Sequence, residues 1–323
     1  MKITNELLEQ FYDYYRNKNF QPDTIVNYKR DISLFLELFY SHGLSEVEEI
    51  TLPLIEEWRT QLRNTPTPKK SIHYGVKPYL SEATIQGKIQ AVKKFLEYVN
   101  ESYNIGMNCQ KIKVPKVRYI SHDYFEEGEV ENIVDIVRKT EKNLINRVRS
   151  ELLVVLGFTT GMRVSEMLSL KVREVLNGEI CVLGKGQKER YISFLPYCQA
   201  LLRDYLSIRQ EPLPRAGGKV GINKADDDYV FISHRLDTFG KPITPQTVCA
   251  LNKKYAVNLE KLHHLGKKYT THTLRVSFAT YLMEKGVNLR EIQVMLGHSD
   301  IQTTQGYLRL KNTKLRETQK ATF

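Results

Sequence analysis

The sequence predicts a mainly α protein with a small antiparallel sheet, divided into an N-terminal helical domain and a C-terminal α+β domain. Three observations carry that expectation. Apolar residues recur at helical spacing through most of the chain. Strand-favouring runs occur only in the second half, around "GEICVLGKGQKERYISF" (178–194). The length of 323 residues exceeds what one ordinary core encloses.

The first domain is read as residues 1–108, with four helices. Residues 5–18 ("NELLEQFYDYYRNK") and 24–40 ("TIVNYKRDISLFLELFY") both carry apolar residues at helical spacing. Pro22-Asp23 separates them, and Asp23 suits the N-cap of the second. A third helix fits 51–63, opening with Thr51 and a proline in the first turn. The stretch 64–80 ("NTPTPKKSIHYGVKPYL") has three prolines and a cluster of lysines, and reads as a basic loop. Ser81 then opens a helix with Ile85, Ile89, Val92, Phe95 and Leu96 along one face.

Residues 109–120 are polar, basic and proline-containing, which suits a linker to a second domain over 121–323. Two further helices are expected over 126–140 ("EEGEVENIVDIVRKT") and 146–161 ("NRVRSELLVVLGFTTG"). Strands at 179–183 and 190–194 flank a loop of two glycines and two lysines, the pattern of a β-hairpin. "DDDYVFIS" (226–233) reads as another short strand, and helical patterns return from Thr270. "MLGH" suggests a helix that stops at Gly297.

Formal net charge is +11. Residues 1–115 hold 15 Lys and Arg against 14 Asp and Glu, so nearly all the excess lies beyond them. Such an excess suits a polyanionic partner, nucleic acid before an anionic membrane surface. No apolar run approaches the roughly 18 residues of a membrane span, and the N-terminal residues lack the apolar segment of a secretory signal. The expected location is cytoplasmic. Cys109, Cys181, Cys198 and Cys249 are widely spaced, without a C-x-x-C pair, so neither a disulfide framework nor a metal site is indicated.

Polar groups cluster where helices of the second domain begin or end. "TTGMRVSEMLSL" carries Arg163 with Glu166 one turn on. "GKGQKER" carries Lys185, "THTLRVSF" carries His272 and Arg275 at helical i, i+3 spacing, and "LGHSDIQTTQGY" carries His298 and Tyr307. Singly, each has an ordinary structural explanation: an i, i+3 ion pair, a solvated turn lysine, helix-terminal histidines, a half-buried tyrosine. Together they hold what phosphodiester transfer needs without a metal. A tyrosine can attack phosphorus once deprotonated. Two guanidiniums can clamp the phosphoryl oxygens, a lysine can protonate the leaving oxygen, and histidines can orient the nucleophile or bond a phosphate oxygen. Rival chemistries lack their motifs: there is no G-x-x-x-x-G-K-[ST], H-E-x-x-H or G-x-S-x-G, and no carboxylate cluster for two metals.

The motifs "TGMRVSE", "GKGQK", "HTLR" and "LGHSDIQTTQGY", in this order, resemble those of the tyrosine recombinases, the phage integrase and Xer-type family. The resemblance spans the chain and implies a SAM-like core-binding domain followed by a catalytic domain. It makes Arg163 and Arg275 the phosphate-binding arginines, Lys185 the general acid and His272 the general base. His298 becomes the second, phosphate-contacting histidine, Tyr307 the nucleophile and Glu166 a support for Arg163. One departure is Val276, where the family usually has His or Lys. The chain starts directly in the core-binding helices, so the two-domain form without an arm-binding domain is expected.

By the same resemblance the partner is double-stranded DNA with inverted-repeat core sites. The protein is expected as a monomer or dimer when free and as a homo-tetramer in the synaptic complex. The reaction runs through a 3′-phosphotyrosyl intermediate and a Holliday junction, with no cofactor, metal or ATP. The tail from about residue 309 has two readings, a segment that docks on a neighbouring protomer as in the family, or a frayed end. For base readout the candidate helices are 24–40 and 81–99, with Arg30, Thr84 and Lys88 as contacts. Two alternatives stand beside this reading: a type IB topoisomerase-like nicking-closing enzyme, and a DNA-binding regulator without catalysis.

Overall fold

A computed structural model describes residues 1–68, 78–114, 123–183, 189–209, 228–263, 267 and 269–297. The chain divides into two compact units, Met1–Tyr119 and Ile120–Phe323.

In the first unit four helices surround an aromatic core. α1 (Asn5–Asn17) starts at Thr4, whose hydroxyl accepts the N–H of Leu7 at 3.2 Å. α2 (Pro22–Ser41) starts earlier than the sequence suggested, with Gln21 rather than Asp23 at the N-cap. Pro22 explains the shift: its fixed φ suits the first helical turn, where its missing N–H is not needed. Asp23 lies inside that turn, against the positive end of the helix dipole. α3 (Leu52–Arg63) and α4 (Glu82–Tyr103) follow, the latter capped by Ser81. Phe11, Ile32, Phe35, Phe39, Ile85 and Phe95 are fully buried between the helices, and the Phe11 and Phe95 rings meet edge to face at 5.6 Å. Of the expected basic loop, 69–77 lies outside the described residues. Its flanks pair, with Thr67 N–H donating to Pro78 at 2.9 Å and Leu80 N–H to Thr65 at 3.1 Å.

The second unit is built on α6 (Leu144–Thr160). Its consecutive residues Leu152 to Leu156 are all buried, which marks a helix enclosed on every side. Around it pack α5 (Glu127–Thr140), α7 (Val164–Ser169), α9 (Pro196–Ile208) and α11 (Thr271–Glu284). α8 (Val172–Val175) leads into the hairpin of β1 (Glu179–Leu183) and β2 (Glu189–Ser193), antiparallel with Cys181 opposite Tyr191. α10 (Pro245–His263) packs on α5 and α7, and α12 (Leu289–Leu296) packs on α11 and β2. The sequence reading passed over α9 and α10; both open with a proline.

The further strand expected at 226–233 is not a strand over its described part. Residues 228–233 make only isolated bridges, Lys171 with Tyr229 and Ile232 with Pro242. Buried arginines take the carbonyls that a neighbouring strand would use. Arg209 Nη1 donates to Val230 O at 3.2 Å and Arg149 Nη1 to Ile232 O at 3.1 Å.

Candidate active site

The site is organised by the end of α6. Gly161 terminates that helix with φ of +60°, and a Cβ there would stand 2.5 Å from Phe278 Cδ1 and 2.7 Å from Leu296 Cδ2. Backbone and packing both demand glycine. The turn it makes delivers Arg163 to the N-cap of α7, where the Arg163 N–H donates to Glu166 Oε2 at 2.7 Å. The Arg163 guanidinium also donates from Nη1 to Glu166 Oε1 at 2.8 Å, while its side chain stays 37% exposed. It is thus fixed by a carboxylate yet open to a ligand.

Two more guanidiniums converge on the same carboxylate. Arg190, from β2, donates Nη2 to Glu166 Oε2 at 2.7 Å and Nη1 to Oε1 at 3.2 Å. Arg275, from α11, donates Nη1 to Gly161 O and Nη2 to Leu296 O, each at 2.5 Å, with Nη1 4.0 Å from Glu166 Oε2. It thereby satisfies carbonyls at the C-terminal ends of α6 and α12, where a cation is electrostatically favoured. Burial pushes the Glu166 carboxyl up, but Arg190 and the Arg163 N–H outweigh it and hold the group down at about 2. Glu166 is therefore ionised at neutral pH, and the carboxylate, among the described residues, is met by three guanidiniums, an excess of positive charge at that point. Such a site is suited to an anionic group such as phosphate.

His272 lies exposed in the first turn of α11, whose N-cap Thr270 accepts the Thr273 N–H at 3.0 Å. Lys185, His298 and Tyr307, with the tail beyond them, lie outside the described residues. Their approaches are described: Leu183 pairs with Glu189 at the base of the hairpin loop, and α12 ends at Gly297 with φ of +64°. Val276 is fully buried in the cluster formed with Ala279, Met283, Ile292 and Leu296. An apolar residue at that position fills the α11–α12 contact.

In the first unit, Arg30, Thr84 and Lys88 all line a groove of about 360 Å³ between α2 and α4. Arg30 and Thr84 are exposed there. Lys88 is buried, its ammonium 2.8 Å from Asp31 Oδ1, and Arg30 Nε is 3.0 Å from that same oxygen. The sequence reading missed Asp31 and Arg190. Arg190 had a legible signal, since it shares the inward parity of Ile192 and Phe194; a charge on the apolar face of a strand implies a buried counter-charge.

Among the described residues no helix is long and apolar enough to cross a membrane. Residues 123–314 match the phage integrase family, and residues 8–102 match the phage integrase N-terminal SAM-like domain. Tyrosine recombinase XerD of Staphylococcus aureus is 30% identical over 303 residues, covering 93% of this chain and 92% of the relative. XerD of Oceanobacillus iheyensis is 28% identical over 315 residues, covering 96% and 95%. Two solved structures share the fold. The Tn1549 transposon integrase in complex with transposon right-end DNA has a TM-score of 0.69 at 18% identity, covering 95% of this chain and 94% of that one. The XerH recombinase bound to a palindromic difH substrate has a TM-score of 0.66 at 23% identity, covering 91% and 78%. With two domain matches in the expected order and relatives aligned nearly end to end, the chain belongs to the phage integrase family, as a site-specific tyrosine recombinase that breaks and rejoins DNA.

Proposed function

We propose that Arg163, Lys185, His272, Arg275, His298 and Tyr307 form the catalytic group of this recombinase, with Glu166 as its support. The observation that carries the reading is the meeting of Arg163 and Arg275, far apart in sequence, at the Glu166 carboxylate. The two guanidiniums bind the non-bridging oxygens of the scissile phosphate and stabilise the charge that builds there in the transition state. Tyr307 attacks phosphorus and forms a 3′-phosphotyrosyl bond. The leaving 5′-oxygen takes a proton from Lys185, while His272 receives the tyrosine proton and His298 bonds the phosphate. The bond energy is kept in the protein–DNA link, so the returning hydroxyl of a partner strand reseals it.

The DNA-contact reading extends to the α2–α4 groove. Arg30 and Thr84, both exposed there, contact the duplex, and Lys88 supports the groove floor through Asp31. Pairs of protomers on inverted repeats, assembling as a tetramer in the cytoplasm, complete the reading. The XerH and Tn1549 structures, each solved with DNA, support the choice of partner.

The test is covalent capture, without metal or ATP, on nicked suicide duplexes tiled across the DNA flanking the protein's own gene. Wild type is expected to give a protein–DNA band on a denaturing gel, and Tyr307→Phe none. A band that persists in Tyr307→Phe sinks the assignment of the nucleophile.

A further inference from the structure

Arg190 lies outside the six catalytic groups, yet three catalytic segments meet at its guanidinium. It stands opposite Val182 in the hairpin, five residues after Lys185 and immediately beyond the loop. Its fork engages both oxygens of Glu166, the residue that also fixes Arg163. The turn that precedes His298 lies directly against it: a Cβ on Gly297 would be 2.7 Å from Arg190 Nη1. The side chain is 3% exposed, too buried for an ordinary surface ion pair.

We propose that Arg190 is a positioning residue for strand cleavage, which registers the hairpin strands that flank Lys185 and the Gly297 turn that precedes His298 against Arg163 by way of Glu166. This rests on the catalytic assignment above and deepens it. The physical reason is competition for one carboxylate. Arg190 occupies Glu166 with two parallel N–H···O bonds, the strongest arrangement available to the pair. Arg163 is left with one side-chain bond to Glu166 and keeps its exposed edge for phosphate. Without Arg190, the buried charge of Glu166 falls to Arg163, which is drawn inward, and the hairpin loses its tie to α7. Displacements of that kind, near 1 Å, cost on the order of a hundredfold in rate.

The experiment is single-turnover covalent capture by full-length protein on the suicide duplex that wild type cleaves. It compares wild type, Arg190→Gln, Arg190→Lys, Glu166→Gln and the Arg190→Gln/Glu166→Gln double variant, with DNA affinity and melting temperature measured in parallel. Arg190→Gln is expected to slow the rate constant about 10- to 100-fold while DNA affinity stays within about twofold, because the Arg190 side chain is buried. Arg190→Lys restores the charge but not the fork, and is expected to recover part of the rate and none of the bidentate geometry. In the Glu166→Gln background the Arg190 change should add little, since its route to Arg163 is already cut. An Arg190→Gln protein whose folded fraction reacts with the wild-type rate constant overturns the proposal, even where reaction amplitude is reduced. Should Arg190→Gln not fold, Arg190→Lys decides on the same criterion, the rate constant of its folded fraction. No capture by wild type, or capture by Tyr307→Phe, instead overturns the parent assignment.

Discussion

At the scale of the residue, Glu166 ties Arg163 and Arg190 together through one buried carboxylate. Its folded pKa of about 2 lies below the ordinary 4.5, so the folded state releases its proton more readily than the unfolded chain. The stability it contributes is complete above about 4.5 and lost as pH falls through about 2. Thermal melts between those limits are expected to fall more steeply for wild type than for Glu166→Gln; parallel curves would remove Glu166 as the source. At pH 7, Glu166→Gln leaves Arg190, its side chain 3% exposed, buried without the carboxylate that its fork engages. Breaking a buried pair in this way costs roughly 3–5 kcal/mol, measurable by denaturant unfolding. The Arg163–Glu166 pair was legible from its spacing, because i, i+3 neighbours at a helix start meet through local geometry alone. Arg190 and Asp31 were not singled out. Their partners lie 24 and 57 residues away, and only the fold brings such groups together.

At the scale of the element, α1 to α6 and the hairpin followed from local pattern, α9 and α10 did not, and Gly297 ended α12 as the sequence indicated. The segment 228–233 shows where local pattern fails. Its β-branched and aromatic residues favour a strand, but Arg149 and Arg209 cap its carbonyls from the core. His234 follows it, buried, with Nε2 3.4 Å from the Tyr205 hydroxyl. Burial, and then the fields of Arg149 and Arg209, lower its pKa from 6.5 to about 4. The unfolded chain therefore binds a proton at mildly acidic pH that the folded chain refuses, and stability declines as pH drops from about 6.5 towards 4. His234→Gln is expected to flatten that limb of a stability–pH curve; an unchanged slope would mean that another group titrates there.

At the scale of the whole molecule, composition leads directly to a measurement. A chain with formal net charge +11 that acts on DNA displaces condensed counterions when it binds, and the logarithm of its affinity falls linearly with the logarithm of salt concentration. With six to ten phosphate contacts, affinity is expected to drop on the order of 10³- to 10⁵-fold between about 50 and 200 mM salt. The excess charge beyond residue 115 implies that the second unit supplies most of that slope. The first unit, nearly neutral through residue 115 and with its α2–α4 groove, is then suited to selecting sequence more than to holding the backbone. Arg30→Ala distinguishes these roles. If Arg30 reads a base edge, its removal weakens binding to the cleaved site by about 1–3 kcal/mol and relaxes the preference at one position. If it contacts phosphate, affinity for all duplexes falls alike and the salt slope drops by about one. Titrating wild type and Arg30→Ala against matched and scrambled duplexes at several salt concentrations separates the two, and a variant that binds every duplex as wild type does removes Arg30 from the interface.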